Sequence, residues 1–139
     1  MIASGFSKTV DLIHRSLDVS ALRGSVIANN IANVEVPNFK RQEVNFESEL
    51  KRALDSENAR PVVEHKMTDS RHISNYNPKD YREVQPRRVM DYLSTVKNNG
   101  NNVDADQEIQ LWVQNQMMYS LMANSAAFHF NQVNNAIRG

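Results

Sequence analysis

Four histidines, one tight acidic run and three basic dipeptides are the side chains of this 139-residue chain best suited to chemistry. His14, His65, His72 and His129 contain no pair three or four residues apart, the spacing that sets two imidazoles on one helix face for a zinc ion. They read as isolated surface or packing residues. With no cysteine there is no thiolate ligand, no Cys nucleophile and no disulfide framework, and the redox compartment stays open. Asp104-Ala105-Asp106-Gln107-Glu108 opens like a calcium loop, but its sixth position is Ile109 instead of glycine and its twelfth is Asn115 instead of glutamate. Acids so placed suit the first turn of a helix, where they meet the positive end of its dipole. The four glycines are dispersed and make no phosphate cradle. Lys40-Arg41, Lys51-Arg52 and Arg87-Arg88 are interleaved with acids, so solvated faces or ion pairs explain them better than nucleic-acid contact. No catalytic, cofactor-binding or metal-binding residue emerges, and the expectation is a protein that is not an enzyme and needs no cofactor.

The elements that carry these residues are told apart by charge. Sixteen basic and sixteen acidic side chains cancel, which removes the simplest drive toward nucleic acid or an anionic membrane. The balance is uneven along the chain. Outside residues 35 to 108 the charged side chains are Lys8, Asp11, Arg15, Asp18, Arg23 and Arg138, and none lies between Ile109 and Ile137. A helix with one wet face normally carries charge there. The N-terminus lacks the basic and apolar regions of a cleaved signal, and no run of 18 apolar residues suits a membrane-spanning helix. A soluble protein made without a cleaved signal is expected.

The spacing predicts a helix from about Ser7 to Asn33. Val10, Leu17 and Ile31 share one position of a seven-residue repeat, Phe6, Ile13, Ile27 and Val34 the other, and Ser20 and Gly24 leave small gaps. Pro37 ends the segment. A second helix is predicted from a cap at Asp104, with Gln107 three residues on, through Ile109, Trp112, Gln116, Tyr119, Ala123, Ala126, Phe130, Val133 and Ile137. Ala123 and Ala126 allow close approach of a neighbour, for which the N-terminal helix is the obvious choice. The fold class is therefore mainly α, with long terminal helices packed as a coiled-coil pair. Val113, Met117, Leu121 and Phe128 form a second stripe, and Leu22, Val26 and Ala32 lie off the first helix's seam. A two-helix pair cannot cover them all, and each large apolar side chain left in water forgoes about 1.5–3 kcal/mol. Both ends are expected to be buried in an assembly. A self-contained or dimeric four-helix bundle is the plainer reading of the same stripes.

The divisions expected are residues 1–34 and 104–139 as helical ends and 35–103 as an irregular middle. In that middle a short helix from Phe46 to Asp55 follows a cap at Asn45, with Glu47 and Glu49 in its first turn. Val62-Val63 and Tyr76 to Val84 are candidates for short strands or extended arms. Val89, Tyr92-Leu93 and Val96 suit helix or strand equally, and part of the middle is expected to order only on a partner. Asn98 to Asn102 reads as a turn tolerant of positive φ.

Two motifs carry a resemblance. The stretch Leu22 to Val34, with Ala28-Asn29-Asn30-Ile31-Ala32-Asn33 in it, followed by Pro37-Asn38-Phe39-Lys40-Arg41, is similar to the signature that closes the N-terminal helix of bacterial flagellar rod and hook proteins. Val36 stands where that family has threonine, Asn38 where it has glycine and Phe39 where it has tyrosine; asparagine tolerates left-handed geometry and Phe39 keeps the ring, so the turn is expected to be retained. Gly100-Asn101-Asn102-Val103-Asp104-Ala105-Asp106-Gln107-Glu108, followed by Asn115 and Tyr119 in a long uncharged helix, resembles the corresponding stretch of the proximal rod proteins. The resemblance implies a structural subunit that leaves the cell through the flagellar type III export apparatus. It implies helical polymerisation through both terminal helices into a torque-transmitting, channel-enclosing rod. The implied interface is Phe6, Val10, Ile13, Leu17, Ile27, Ile31, Ile109, Trp112, Tyr119, Ala123, Ala126, Phe130, Val133 and Ile137. Other copies, FlgC, the FlgF/FlgG type, FliE and the MS ring are the implied partners, with neither nucleic acid nor direct membrane insertion. Phe6 and Val10 also resemble an export-recognition element. A soluble coiled-coil adaptor or export chaperone is the alternative.

Overall fold

A computed structural model describes residues 2–58, 68–69, 71, 78–94 and 98–139. In chain order these form α1 (Ile2–Ala32), β1 (Gln42–Asn45), α2 (Glu47–Asn58), a 3-10 turn (Tyr81–Glu83), β2 (Arg87–Met90) and α3 (Ala105–Arg138). They fall into two compact units, Met1–Val44 with Arg88–Gly139, and Asn45–Arg87.

In the first unit α1 packs along α3. Phe6 meets His129 edge-on with ring centroids 6.2 Å apart, Ser20 bonds Asn115 and Asn30 bonds Glu108. Rising numbers on one helix meet falling numbers on the other, so the helices run antiparallel. α3 starts where the acidic run predicts: the Asp104 carboxylate accepts from Asp106 N–H at 3.0 Å and Gln107 N–H at 3.4 Å, satisfying donors the first turn leaves open. α1 begins at Ile2 instead of Ser7 and closes at Ala32. β1 pairs with β2. Asp91, just past β2, donates to the carbonyl of Arg41, just before β1, which makes this small sheet antiparallel. Neither strand is legible from alternation, because each has only four residues; Val89 takes its extended alternative.

In the second unit α2 carries Glu47 and Glu49 in its first turn and runs on to Asn58, past the expected end at Asp55. The Asn45 side chain accepts from the Ser48 hydroxyl at 2.7 Å, and the Phe46 carbonyl accepts from Leu50 N–H. Ser56 Oγ accepts from Lys79 N–H at 3.0 Å. Of the segment expected to supply strand from Tyr76 to Val84, the described part forms a 3-10 turn. Asp80 stabilises it by accepting from Arg82 N–H at 2.9 Å, and a side chain that captures the next amides favours a turn over a ladder. Phe46, Ala53 and Tyr81 are buried. Val62-Val63 and Val96 lie outside the described residues.

The rotation of α3 differs from the sequence reading. Ile109, Trp112, Tyr119, Phe130, Val133 and Ile137 were the expected contact stripe toward α1, yet all are exposed, while Glu108 and Asn115 are buried. Leu111, Met122, Ser125 and His129 are half-buried. The seam is thus displaced by about one residue, or roughly 100°. On α1 the buried apolar residues are Val19, Val26 and Ile27, so Val26 belongs to the seam it was expected to lie outside. Phe6, Val10, Ile13, Leu17 and Ile31 are half-buried, as are Ala123 and Ala126.

Candidate functional site: the polar junction and the face it turns outward

The rotation is set where the two motifs meet. Asn30, in the last turn of α1, donates from its amide to the Gln42 carbonyl at 2.8 Å and to Glu108 Oε2 at 3.1 Å. Its own carbonyl accepts from Gln42 N–H at 3.1 Å. One side chain therefore pairs both backbone groups of a β1 residue as a neighbouring strand would, and also holds α3. Glu108 is fully buried. Its second oxygen accepts from Arg41 Nε, and Arg41 also bonds Glu43. Burial pulls the Arg41 pKa down, but the hydrogen bond it donates to Glu108 and the charges of Glu108 and Glu43 outweigh it and leave the guanidinium above its ordinary range. A buried carboxylate is tolerated here because it has a cation and a second donor.

The chain on either side is tied in by asparagines. Asn102 accepts from Arg41 N–H at 2.7 Å and donates to the Asp91 carbonyl at 2.7 Å. Asn101 donates to the carbonyls of Asn33, Val34 and Val36 at 2.8–3.0 Å. These are carbonyls at and beyond the end of α1, and Asn101 accepts from Val103 N–H in return. Asn38, at φ 60°, and Gly100, at φ 79°, make the tight turns. A Cβ on Gly100 would sit 2.6 Å from Asn38 Oδ1, so any other residue there would have to displace the Asn38 side chain and adopt a positive φ that glycine takes at no steric cost. Further along the seam Ser20 donates to Asn115 Oδ1 and accepts Asn115 Nδ2 on its carbonyl, both at 2.9 Å. Gly24 lies beneath, where a Cβ would come 3.4 Å from Asn115 Nδ2 and 3.7 Å from Trp112.

Of the residues singled out in the sequence, Asn30, Asn102, Val103, Asp104 and Glu108 converge here. Asn33 contributes a carbonyl, while Pro37 and Asn29 are exposed. Arg41, Asn101 and Asn115, which lie in the two motif stretches, do as much, and so do Ser20, marked in the sequence only as a small residue, and Gln42, which no signal marks. Arg41 is an ion pair as expected but buried instead of solvated, and the hint of that is its place at the end of the first motif. On its outward side α3 exposes Trp112, Val113, Met117, Leu121, Phe128 and Phe130 without a charge until Arg138. Among the described residues no group of three His, Asp or Glu converges as a metal site would require, and no helix is long and apolar enough to cross a membrane.

A buried polar junction that holds two long helices and turns an uncharged apolar face outward defines a structural, helix-presenting subunit. No family model matches the chain, but full-length relatives do. It is 49% identical over 129 residues to the flagellar basal body rod protein FlgB of Borreliella burgdorferi, covering 93% of this chain and 95% of that one. With FlgB of Borrelia hermsii it shares 50% over 133 residues, 96% of this chain and 98% of the relative. With FlgB of Bacillus subtilis it shares 31% over 136 residues, 96% of each. The chain belongs to the FlgB family of flagellar basal body rod proteins, and its role is that of a structural protein of the rod.

Proposed function

We propose that the chain is a proximal-rod subunit that polymerises helically through α1 and α3, so that the terminal helices of many copies line the export channel and transmit torque. Residues 1–34 and 104–139 are then the rod core domain. The observation that carries this is the outer face of α3: Met117 is 68% exposed, Leu121 64% and Ile137 78%, on a helix without charge from Ile109 to Ile137. Several large apolar side chains in water at about 1.5–3 kcal/mol each provide a strong drive to associate. The surrounding Asn, Gln and Ser hydrogen-bond without the desolvation cost of a charge. The interface comprises Ile109, Trp112, Tyr119, Phe130, Val133 and Ile137 on α3, with Ala123 and Ala126 where helices approach closely. On α1 it comprises Phe6, Val10, Ile13, Leu17, Ile27 and Ile31 wherever these are not already covered by α3.

The role is mechanical and not enzymatic. FlgC, the FlgF/FlgG type, FliE and the MS ring are the neighbours this reading assigns, and the periplasmic rod is the location, reached through the type III export apparatus without a cleaved signal. Export recognition by Phe6 and Val10 requires the start of α1 to be open, since Phe6 otherwise packs on His129. Cells whose only copy carries Leu121→Asp test the proposal. The variant is expected to fold, to be absent from purified basal bodies and to leave cells non-motile. Normal rods and motility would refute the role of this face, and a stable soluble dimer of the unaltered chain that never enters rods would favour the adaptor.

A further inference from the structure

One part of the first motif is not used by the junction. Asn30 is buried in it and Asn33 donates to the Asn29 carbonyl at 2.7 Å, but the Asn29 side chain is exposed and makes no hydrogen bond among the described residues. It lines a polar recess of about 350 Å3 with Ser25, Val26, Gln42 and Arg88, room for a carboxylate side chain with hydrating water. The Arg88 guanidinium is exposed and has no acidic partner among the described residues. The recess thus gathers a cation, two amides and a hydroxyl, and no acid. Donors in that company suit a carboxylate, which an arginine receives in a bidentate fork.

On the same α1 face, seven residues before Ser25 and eleven before Asn29, stands Asp18. It is exposed, and no partner for it exists among the described residues, whereas Asp11, the other acid of α1, is engaged. If α1 faces other protein in the rod, as proposed above, an unmatched carboxylate there would be strongly unfavourable. We infer that Asp18 of one copy docks into the Ser25, Asn29, Gln42 and Arg88 recess of a second copy. The inference rests on the rod reading. At 1.5 Å per residue the acid and the recess lie roughly 10–16 Å apart along α1. Between copies whose α1 helices run parallel, the contact is head-to-tail and repeats without closing, as a filament requires.

The cysteine-free sequence makes the test clean. One chain carrying D18C and another carrying R88C are co-expressed in cells lacking the unaltered copy, and purified basal bodies are oxidised. A disulfide-linked dimer is expected from co-expressing cells and not from cells with either variant alone. In parallel, D18R and R88D each lower rod yield by about tenfold, the effect of one lost charge pair plus repulsion, and the chain carrying both regains it. Both positions are exposed, and unchanged thermal unfolding of the purified variants shows that folding is intact. Rods that contain this chain but give no mixed dimer, or a double reversal as defective as the single ones, would overturn the recess and leave the rod reading standing. Absence of the unaltered chain from basal bodies would overturn both.

Discussion

The seam between α1 and α3 and the outer face of α3 differ in how they use polar and apolar groups. The seam holds Glu108, Asn30, Asn115 and Ser20 among Val19, Val26 and Ile27, whereas Met117, Leu121 and Phe128 face outward. Apolar contact is non-directional and tolerates many rotations, but a carboxylate held by Arg41 and Asn30 accepts one. The difference teaches that this subunit uses buried polar groups to choose a register, as a single polar residue does in a coiled-coil seam, and leaves the apolar groups on the outer face of α3 uncovered.

The largest break in this contrast is at its buried charge. Glu108→Ala leaves the Arg41 guanidinium buried without its main partner and is expected to lower stability by about 3–5 kcal/mol in urea denaturation of the purified chain. Glu108→Gln should cost less, since the amide still serves as acceptor. Next, Asn101→Ala removes the donor shared by three carbonyls and the acceptor of Val103 N–H. A loss of about 2–3 kcal/mol is expected in the same measurement. Gly100→Ala, forced into positive φ against Asn38, should cost about 1–2 kcal/mol.

On the outer face the expectation reverses. Leu121→Gln should change the stability of the isolated chain by less than about 0.5 kcal/mol while cutting rod yield from cells, so a large loss of stability would mean that this face already packs within the subunit. The smallest effect concerns the Asp91 turn. Hydrogen bonds from the Ser94 hydroxyl, then from the Ser94 and Leu93 amides, hold the Asp91 carboxyl below the usual range. Its contribution is complete above the ordinary carboxylate pKa and fades as pH falls through the lowered value. NMR titration should show the Leu93 and Ser94 amides shifting only at a pH below that of a free aspartate.

Much of the helical frame was legible because it is local. Asp104 caps α3 through amides two and three residues away, and Asn38 takes the left-handed turn that its short amide permits. The strands were not legible, since four residues show too little alternation to stand out. Within the junction, Asn30 and Glu108 were marked by motif. Arg41 closes the first motif, but its burial was not legible, because nothing in Lys40-Arg41-Gln42-Glu43 separates a buried cation from a wet one.

By itself, the sequence determined that both ends are helical, where α3 starts, and that α3 carries no charge along most of its length, because propensity, capping and composition act within a few residues. Only the tertiary structure decided which way α3 faces. Its rotation depends on pairs distant in the chain, Asn30 and Arg41 with Glu108 and Ser20 with Asn115, and their directional hydrogen bonds outweigh an apolar stripe that fits a partner equally well at several angles.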